Sequence, residues 1–502
     1  MIELDGMGLA AEDVYRIAVL GEKTSISGAA SQKIKKSRNA LENKINHGDT
    51  IYGVNTGFGS LLNVRIEKED IDKLQQNLIR SHSSGVGEPL SPDYVRAMMV
   101  IRLNSFCKGF SGVSMNLVDF TLKFLNEGIT PVVPRYGSVG ASGDLAPLAH
   151  VALALMGEGQ VYYQGKAFET TELLRKLNIE AYKFTEKEGV AFINGTAAIS
   201  SILSLEVFRS FRLMRNAIAS ATLSFEGLRG TLKAFREWAV SSRGHNGQKC
   251  VAASFRDLVG DSTIIQKSTE EKVQDPYTLR CIPQVYGAVL DTINYVNSVL
   301  TTEINSATDN PLVSSDEIIS AGNFHGEPVA LACDFLAIAL TDLGNMIERR
   351  IARITDSSLS GLPPFLVRDS GLNSGYMIPQ YVAAALCNRN KTLSFPSTAD
   401  SIPTSANQED HVSMGMNAAI KLSEIVSNLF QIISIEYLTG AQALEFATDK
   451  PSAFASGIYG EIRGIVPALV SDRPPYMDIS RIYEMISGER FDMEKLGAVK
   501  LK

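Results

Sequence analysis

The sequence predicts a mainly α-helical protein, an elongated helical bundle, on three observations. From Met414 the apolar positions Met414, Ala418, Leu422, Ile425, Leu429 and Ile432 recur every three or four residues, the period of one helix face. Comparable patterns occupy Gln284 to Ser306 and Glu327 to Asp356, so several helices approach or exceed ~20 residues. Strand-like alternation is rare among them. Helices of that length leave long apolar faces that need partners, which favours a bundle and an oligomer.

Taken in order, the N-terminal residues up to Ile45 read as helical, with KIKKSRNALENKI (33–45) as a solvated amphipathic stretch. IYGVNTGFG (51–59) breaks the period with three glycines and an Asn. EKEDIDKLQQNLIRSHSSG forms a capped helix ending near Gly85, and PDYVRAMMVIRLNSFCKG begins another with Pro92 in its first turn. Apolar GITPVVP (128–134) leads into the glycine-rich GSVGASGDLAPLAH (137–150), and the Ala/Leu-rich LAPLAHVALALMG (145–157) leads out as a helix. Gln160 to Glu188 reads as a small insertion with little chemistry. Beyond residue 190 helix dominates, and the prolines between Asp472 and Asp478 mark a turn before the last helix. The expected organisation is an N-terminal domain, 1–200, bearing the Ala-Ser-Gly loop, and a long-helix bundle domain, 201–502, forming an oligomer core.

The totals exclude several function classes. In 502 residues, 45% apolar and 21% charged is the mix of an ordinary soluble globular protein. The net charge of -7 argues against a nucleic-acid binder, whose ligand rewards a basic surface. The cysteines number 5, are scattered and form no CxxC pair, so neither a disulfide framework nor a metal site is read from them. The opening MIELDGMGLAAEDVYRIAVLG lacks the order of a signal peptide. The most apolar window, VALACDFLAIAL from Val329, contains Asp334 and reads as too short to span a bilayer. A cytoplasmic protein with no membrane or nucleic-acid partner is expected.

Between the helices lie polar stretches that do not repeat: YGVNTGFG, NLIRSHSSGVGE, GSVGASGDLAP, FINGTAA, QDPYTLRCIPQ, EINSATDNP, GNFHGE and SIPTSANQEDHVSM. They set Tyr, His, Asn, Gln, Arg and Glu beside Gly and Pro. Convergent loops on a rigid scaffold supply such residues when they line one polar pocket.

Within the glycine-rich loop, Ser142 has two chemistries open to it. It can serve as a nucleophile, but the GxSxG elbow is absent, and the spacing of Asp144 and His150 does not by itself make a base and its orienter. The alternative is backbone chemistry. In a tightly bent loop the amide nitrogen of Gly143 can attack the carbonyl carbon of Ala141, unobstructed by a side chain. Loss of water closes a five-membered ring, and loss of the Ser142 hydroxyl as a second water leaves an electron-poor exocyclic alkene.

From YGVNTGFG through GSVGASGDLAPLAH to NQEDHVSM the chain resembles the aromatic amino-acid ammonia-lyase and aminomutase family. The resemblance covers most of the chain and is closest in motif to the histidine lyases. It implies a 4-methylideneimidazole-5-one (MIO) made from Ala141, Ser142 and Gly143, with no external cofactor. It also implies an almost wholly helical, fumarase/aspartase-like fold, a homotetramer and active sites shared between subunits. The implied reaction removes ammonia from the α-carbon of an amino acid and a proton from the β-carbon.

That proton is only weakly acidic, so a base must act together with electron withdrawal. The resemblance assigns proton transfer to Tyr52 and Tyr277; we expect Tyr52 as the base, with Tyr277 assisting. Arg280 offers a rigid fork to the substrate carboxylate. Asn194 is expected to bond the MIO or the substrate amine, Gln274 and Gln284 to add polar contacts, and Phe324 to pack against the ring or the substrate.

Two places sort substrates in this family. Ser81-His82 resembles the Ser-His of histidine lyases, where phenylalanine lyases resemble Phe-Leu and tyrosine lyases His-Leu. Glu409 matches the acid of histidine lyases. An imidazole has two polar nitrogens, which His82 and Glu409 can partner, whereas phenylalanine would leave Glu409 buried and unpaired. L-histidine, giving trans-urocanate and ammonia, is the preferred reading. Tyrosine (or phenylalanine) ammonia-lyase and tyrosine 2,3-aminomutase, which use the same group, are the alternatives. The chain departs from the histidine-lyase pattern at Arg80, where Leu is common, at Tyr286, where a His is usual, and at FPSTADSIPTS from Phe395.

Overall fold

The computed structural model describes residues 1–47, 49–51, 53–57 and 66–501. Helix accounts for 62% of the chain, as the periodicity predicts. The long apolar patterns become the helices Ile282–Ile304, Glu327–Thr355 and Gly415–Leu444, joined by Ala197–Gly227.

The chain divides into two compact units, neither of them continuous. One consists of Met1–Phe208, Val296–Asp334 and Pro396–Ile420, the other of Arg209–Tyr295, Phe335–Phe395 and Lys421–Lys502. The expected single boundary near residue 200 thus gives way to several. The segments that return to the N-terminal unit carry Phe324 and Glu409. No Pro/Gly-rich linker marks these divisions, because they fall within or beside the long helices.

In the first unit, local signals place the helices. Ser91 accepts from the Asp93 amide and Pro92 occupies the first turn of Pro92–Phe106, a helix buried along almost all its length. Ile71–His82 follows a short 3-10 turn and buries Gln75, whose carboxamide bridges the Gly53 carbonyl and the Val190 amide. Short strands were not foreseen. Ile2–Leu4 pairs in parallel with Thr24–Ile26, and Thr130–Pro131, Gln160–Tyr163 and Lys166–Glu169 form a three-stranded antiparallel sheet. Runs this short cannot display a period of two. Gln164 and Gly165, with φ of 50° and 75°, close the hairpin with the left-handed pair such a turn requires.

The stretch 160–188 ends in more chemistry than its composition suggests. Lys187 Nζ lies 2.7 Å from Asp309 Oδ2, and both side chains are fully buried. Next to it Glu188 accepts from the Ser114 amide and from the Tyr182 hydroxyl.

In the second unit, the fully buried Arg350 donates from Nε to Glu436 Oε1 at 2.6 Å, and Ser220 Oγ donates to Glu436 Oε2 at 2.6 Å. Tyr286, a departure from the family pattern, is fully buried with its hydroxyl against Arg350. Arg350 and Glu436 lie on Glu327–Thr355 and Gly415–Leu444, which among the described residues are the two helices long and apolar enough to cross a membrane by length and composition. Val329–Leu340 is therefore part of a longer apolar helix than the sequence window suggested. The buried ion pair between the two identifies them as core helices, since a charge pair facing lipid carries a heavy cost. The turn at 472–478 leads into Pro475–Ser487, and a further short helix, Glu489–Lys495, follows it. None of the cysteines is in a disulfide.

Removing one member of a buried ion pair strands its partner, at a cost of about 3–5 kcal/mol. Lys187→Met is expected to lower the thermal unfolding midpoint in calorimetry, and Asp309→Asn in the same chain to restore part of the loss.

Candidate active site

The loop holding Ala141-Ser142-Gly143 is bent by three left-handed residues within four positions: φ is 73° at Gly140, 51° at Ser142 and 76° at Gly143. A serine in this region is uncommon and strained, so the surroundings must hold it there. Asp144 does so. Fully buried, it accepts from the amides of Ala198 and Ile199, each at 2.9 Å, at the start of the helix Ala197–Gly227. Its other oxygen accepts from Ser138 Oγ at 2.8 Å, and its own amide donates to the Gly195 carbonyl at 2.7 Å. The exposed amides and positive end of a helix suit a carboxylate. Burial nevertheless pushes this carboxyl up to about 6, against the pull of its donors. Gly143 packs so closely on the Gly195 backbone that a Cβ would collide with it.

The returning segments grip the other side. The Gly326 amide donates to the Gly140 carbonyl at 3.1 Å, Ser413 Oγ donates to the same oxygen at 3.2 Å, and the Met414 amide donates to the Val139 carbonyl at 2.8 Å. Ala141, Val412 and Met414 pack into one apolar cluster.

Ser142 Oγ donates to Glu409 Oε1 at 2.7 Å. Its partner is therefore neither Asp144, which faces the helix start, nor His150, whose Nε2 accepts from the Gly85 amide at 3.1 Å. The nucleophile, base and orienter arrangement is not formed. Glu409 is aimed by Thr404, whose hydroxyl donates to Oε2 at 2.6 Å across a tight loop. That loop passes through three left-handed residues, Ser405, Ala406 and Asn407.

His82 ends its helix with Nδ1 2.9 Å from the Leu78 carbonyl. The proton on Nδ1 donates there, leaving the Nε2 lone pair free to accept. Burial lowers the His82 pKa below the ordinary 6.5, while the Leu78 carbonyl and the negative charge of Glu409 favour its charged form. Asn194 caps the short helix Glu188–Ile193, and its Oδ1 is buried with no hydrogen-bond partner. Arg102, fully buried, donates to the Asn194 carbonyl at 2.6 Å. A side chain on Gly195 would strike Arg102. Burial pulls the Arg102 guanidinium down only to about 10, which leaves it charged at neutral pH. Phe324 is half-buried in the turn just before Gly326.

The second unit gathers another group of candidates. Gln274 Oε1 accepts from Arg280 Nη1 at 2.6 Å, and the guanidinium lies 4.6 Å over the Tyr277 ring. Tyr277 is 71% exposed, so the phenol is open to an incoming molecule. Arg280 Nε and Gln284 Oε1 are buried and unpartnered. Tyr52 lies outside the described residues.

Against this geometry, the sequence matches the profile described as aromatic amino acid lyase over residues 9–464. The chain belongs to that family. Relatives agree across nearly their whole length. A probable histidine ammonia-lyase of Thermoplasma volcanium is 58% identical over 487 residues, spanning 97% of this chain and 98% of that one. The histidine ammonia-lyase of Bacillus subtilis is 44% identical over 492 residues, 97% of each chain. Among solved structures, the tyrosine aminomutase of Streptomyces globisporus superposes with a TM-score of 0.95 at 37% identity over 100% of both chains. The histidine ammonia-lyase of Trypanosoma cruzi gives 0.91 at 38% identity, covering 100% of this chain and 98% of that one. As a member, this chain is a carbon–nitrogen lyase of the ammonia-lyase type.

Sequence reasoning missed the parts that carry no chemistry of their own: the Asp144 clamp, the Arg102 prop and the Thr404 contact. An Arg inside the otherwise apolar run MMVIRL was the one available signal for Arg102. Arg80 pairs with Glu158 at 2.7 Å with its side chain 47% exposed, so the departure from Leu there faces solvent.

With 6 histidines in the chain, isotope-labelled imidazole titration is tractable. His82 is expected to titrate below 6.5, and Glu409→Gln to move it lower still by removing the charge that favours protonation.

Proposed function

We propose that this lyase eliminates ammonia from L-histidine to give trans-urocanate. The observation that carries the reading is the placement of Glu409, 2.7 Å from Ser142 and acting electrostatically on His82. A carboxylate and an imidazole lone pair are both acceptors, which suits a ring presenting two N–H donors. Thr404 holds Glu409 Oε2, but once the Ser142 hydroxyl is lost the apolar ring of phenylalanine would leave Oε1 and the His82 lone pair without donors, a penalty that rejects it.

Ala141, Ser142 and Gly143 fit the MIO expected of them: the left-handed bend brings neighbouring peptides together, and the one position where a side chain would obstruct is glycine. Once formed, the group supplies an electron-poor alkene that draws on the substrate amine. The remaining work falls to side chains. Asn194 accepts from that amine through Oδ1, a reading supported by that oxygen being buried and unpartnered. Arg280, anchored by Gln274 and stacked on Tyr277, turns its free donors to the substrate carboxylate. Tyr52 takes the β-proton and Tyr277 assists, while Phe324 covers the ring and Gln284 adds a polar contact. The chain works as a homotetramer in the cytoplasm, with active sites shared between subunits.

With L-histidine the purified protein is expected to generate urocanate absorbance. L-tyrosine and L-phenylalanine should yield little coumarate or cinnamate, and the tyrosine mixture no β-isomer. Coumarate or β-tyrosine without urocanate overturns the assignment. Ser142→Ala should remove both turnover and the ultraviolet absorbance of the MIO. Glu409→Gln should lower kcat/KM for histidine by about 10²–10³-fold, the scale for losing one strong polar contact in a closed site. Mixing inactive Ser142→Ala and Arg280→Ala chains during refolding should restore part of the activity, since hybrid tetramers contain some intact shared sites.

A further inference from the structure

The reaction proposed above leaves three ligand-bearing side chains unused. His325, Glu327 and His411 offer atoms that all lie within 4.8 Å of one another. His325 and Glu327 flank Gly326, where the chain enters the helix Glu327–Thr355, and His411 sits two residues past Glu409. The two imidazoles are nearly parallel, 7° apart in plane with centroids 5.7 Å apart. Glu327 Oε2 is a buried oxygen with no hydrogen-bond partner, 3.9 Å from His411 Nε2. A carboxylate oxygen cut off from water and from any donor is costly unless a positive charge faces it.

The state of His325 fits the same purpose. Its Nε2 lies 3.3 Å from the His411 carbonyl, and its Nδ1 receives the Glu327 amide through a long contact of 3.3 Å. A proton on Nε2, donated to the carbonyl, fixes the tautomer and leaves the lone pair on Nδ1. Ligating histidines are commonly oriented in this way by their second nitrogen. A metal on Nδ1 would replace only the long amide contact.

We propose that His325, Glu327 and His411 bind one divalent transition-metal ion of the zinc type. Two imidazoles and a carboxylate suit zinc, cobalt or nickel and not magnesium or calcium, which prefer all-oxygen cages. Bonds of about 2.1 Å keep ligand atoms within about 4.2 Å of one another, so any pair near the outer limit of the cluster must draw in. His411, with its side chain 68% exposed, is the member free to move. Water completes the coordination. The ion acts as a staple and not as a catalyst: it joins the turn bearing Phe324 to the loop bearing Glu409, the two segments that converge on the Ala-Ser-Gly loop. Binding at these three side chains is independent of which amino acid the lyase deaminates.

The test uses tag-free full-length protein, stripped with a chelator and titrated with Co²⁺ in the absence of histidine, itself a chelator. One equivalent per chain is expected, with visible bands from nitrogen-ligated cobalt and a rise in Tm on saturation. His411→Asn, at an exposed site, and His325→Asn should each weaken binding by more than the about 10–100-fold that loss of an outer partner costs. His245→Asn, remote in sequence and outside the cluster, should leave binding unchanged. Circular dichroism checks that each variant is folded. Failure to bind Co²⁺ at one equivalent overturns the proposal, as does binding that survives in both folded cluster variants. Neither result bears on urocanate formation, which is measured separately.

Discussion

The Asp144 carboxylate, buried at the start of a long helix, is the contact on which the rest of the site depends. It converts an unfavourable bend into a fixed one. Two helix amides and the Ser138 hydroxyl hold the carboxylate, and the Asp144 amide is held in turn by Gly195. With that anchor in place, Ser142 is kept in a left-handed conformation that a free peptide would leave, and its hydroxyl meets Glu409. Strain of this kind persists only where the surroundings over-determine it. Here the helix start supplies one wall, and the segments returning from residues 326 and 413–414 supply the other.

The same logic explains the buried charges around the loop. Arg102 holds the Asn194 carbonyl, while Lys187 and Asp309 neutralise each other without water. Such groups add little net stability compared with apolar residues of the same volume. What they add is directional: each has one satisfactory arrangement, so the backbone beside the Ala-Ser-Gly loop has one as well. Thr404 does the same for Glu409 by bonding the carboxylate oxygen that Ser142 does not use.

Much of this was legible in the sequence. Helix existence followed from apolar period, and Pro92 marked a helix start where the structure has one. Ser142, His82, Asn194 and Glu409 stood in stretches that broke the period, and the fold collects them in one unit. Gln274, Tyr277 and Arg280 emerged as a hydrogen-bonded and stacked group because they occupy a short loop and a single helical turn. The unit boundaries were illegible because long helices run through them without a linker. The short strands escaped because pairs of two to four residues have no measurable period, and Lys187 escaped because its partner Asp309 is 122 residues away. His325 and His411 are separated by 86 residues, too far for any ligand spacing to suggest them.

The returning segments have a consequence for biogenesis. The contact between Ser142 and Glu409 bridges 267 residues, and that between Gly140 and Ser413 bridges 273. During synthesis, most of the polypeptide must leave the ribosome before the loop acquires its second wall. Any chemistry that depends on that bend is thereby tied to the arrival of the segment that carries Glu409 and Ser413.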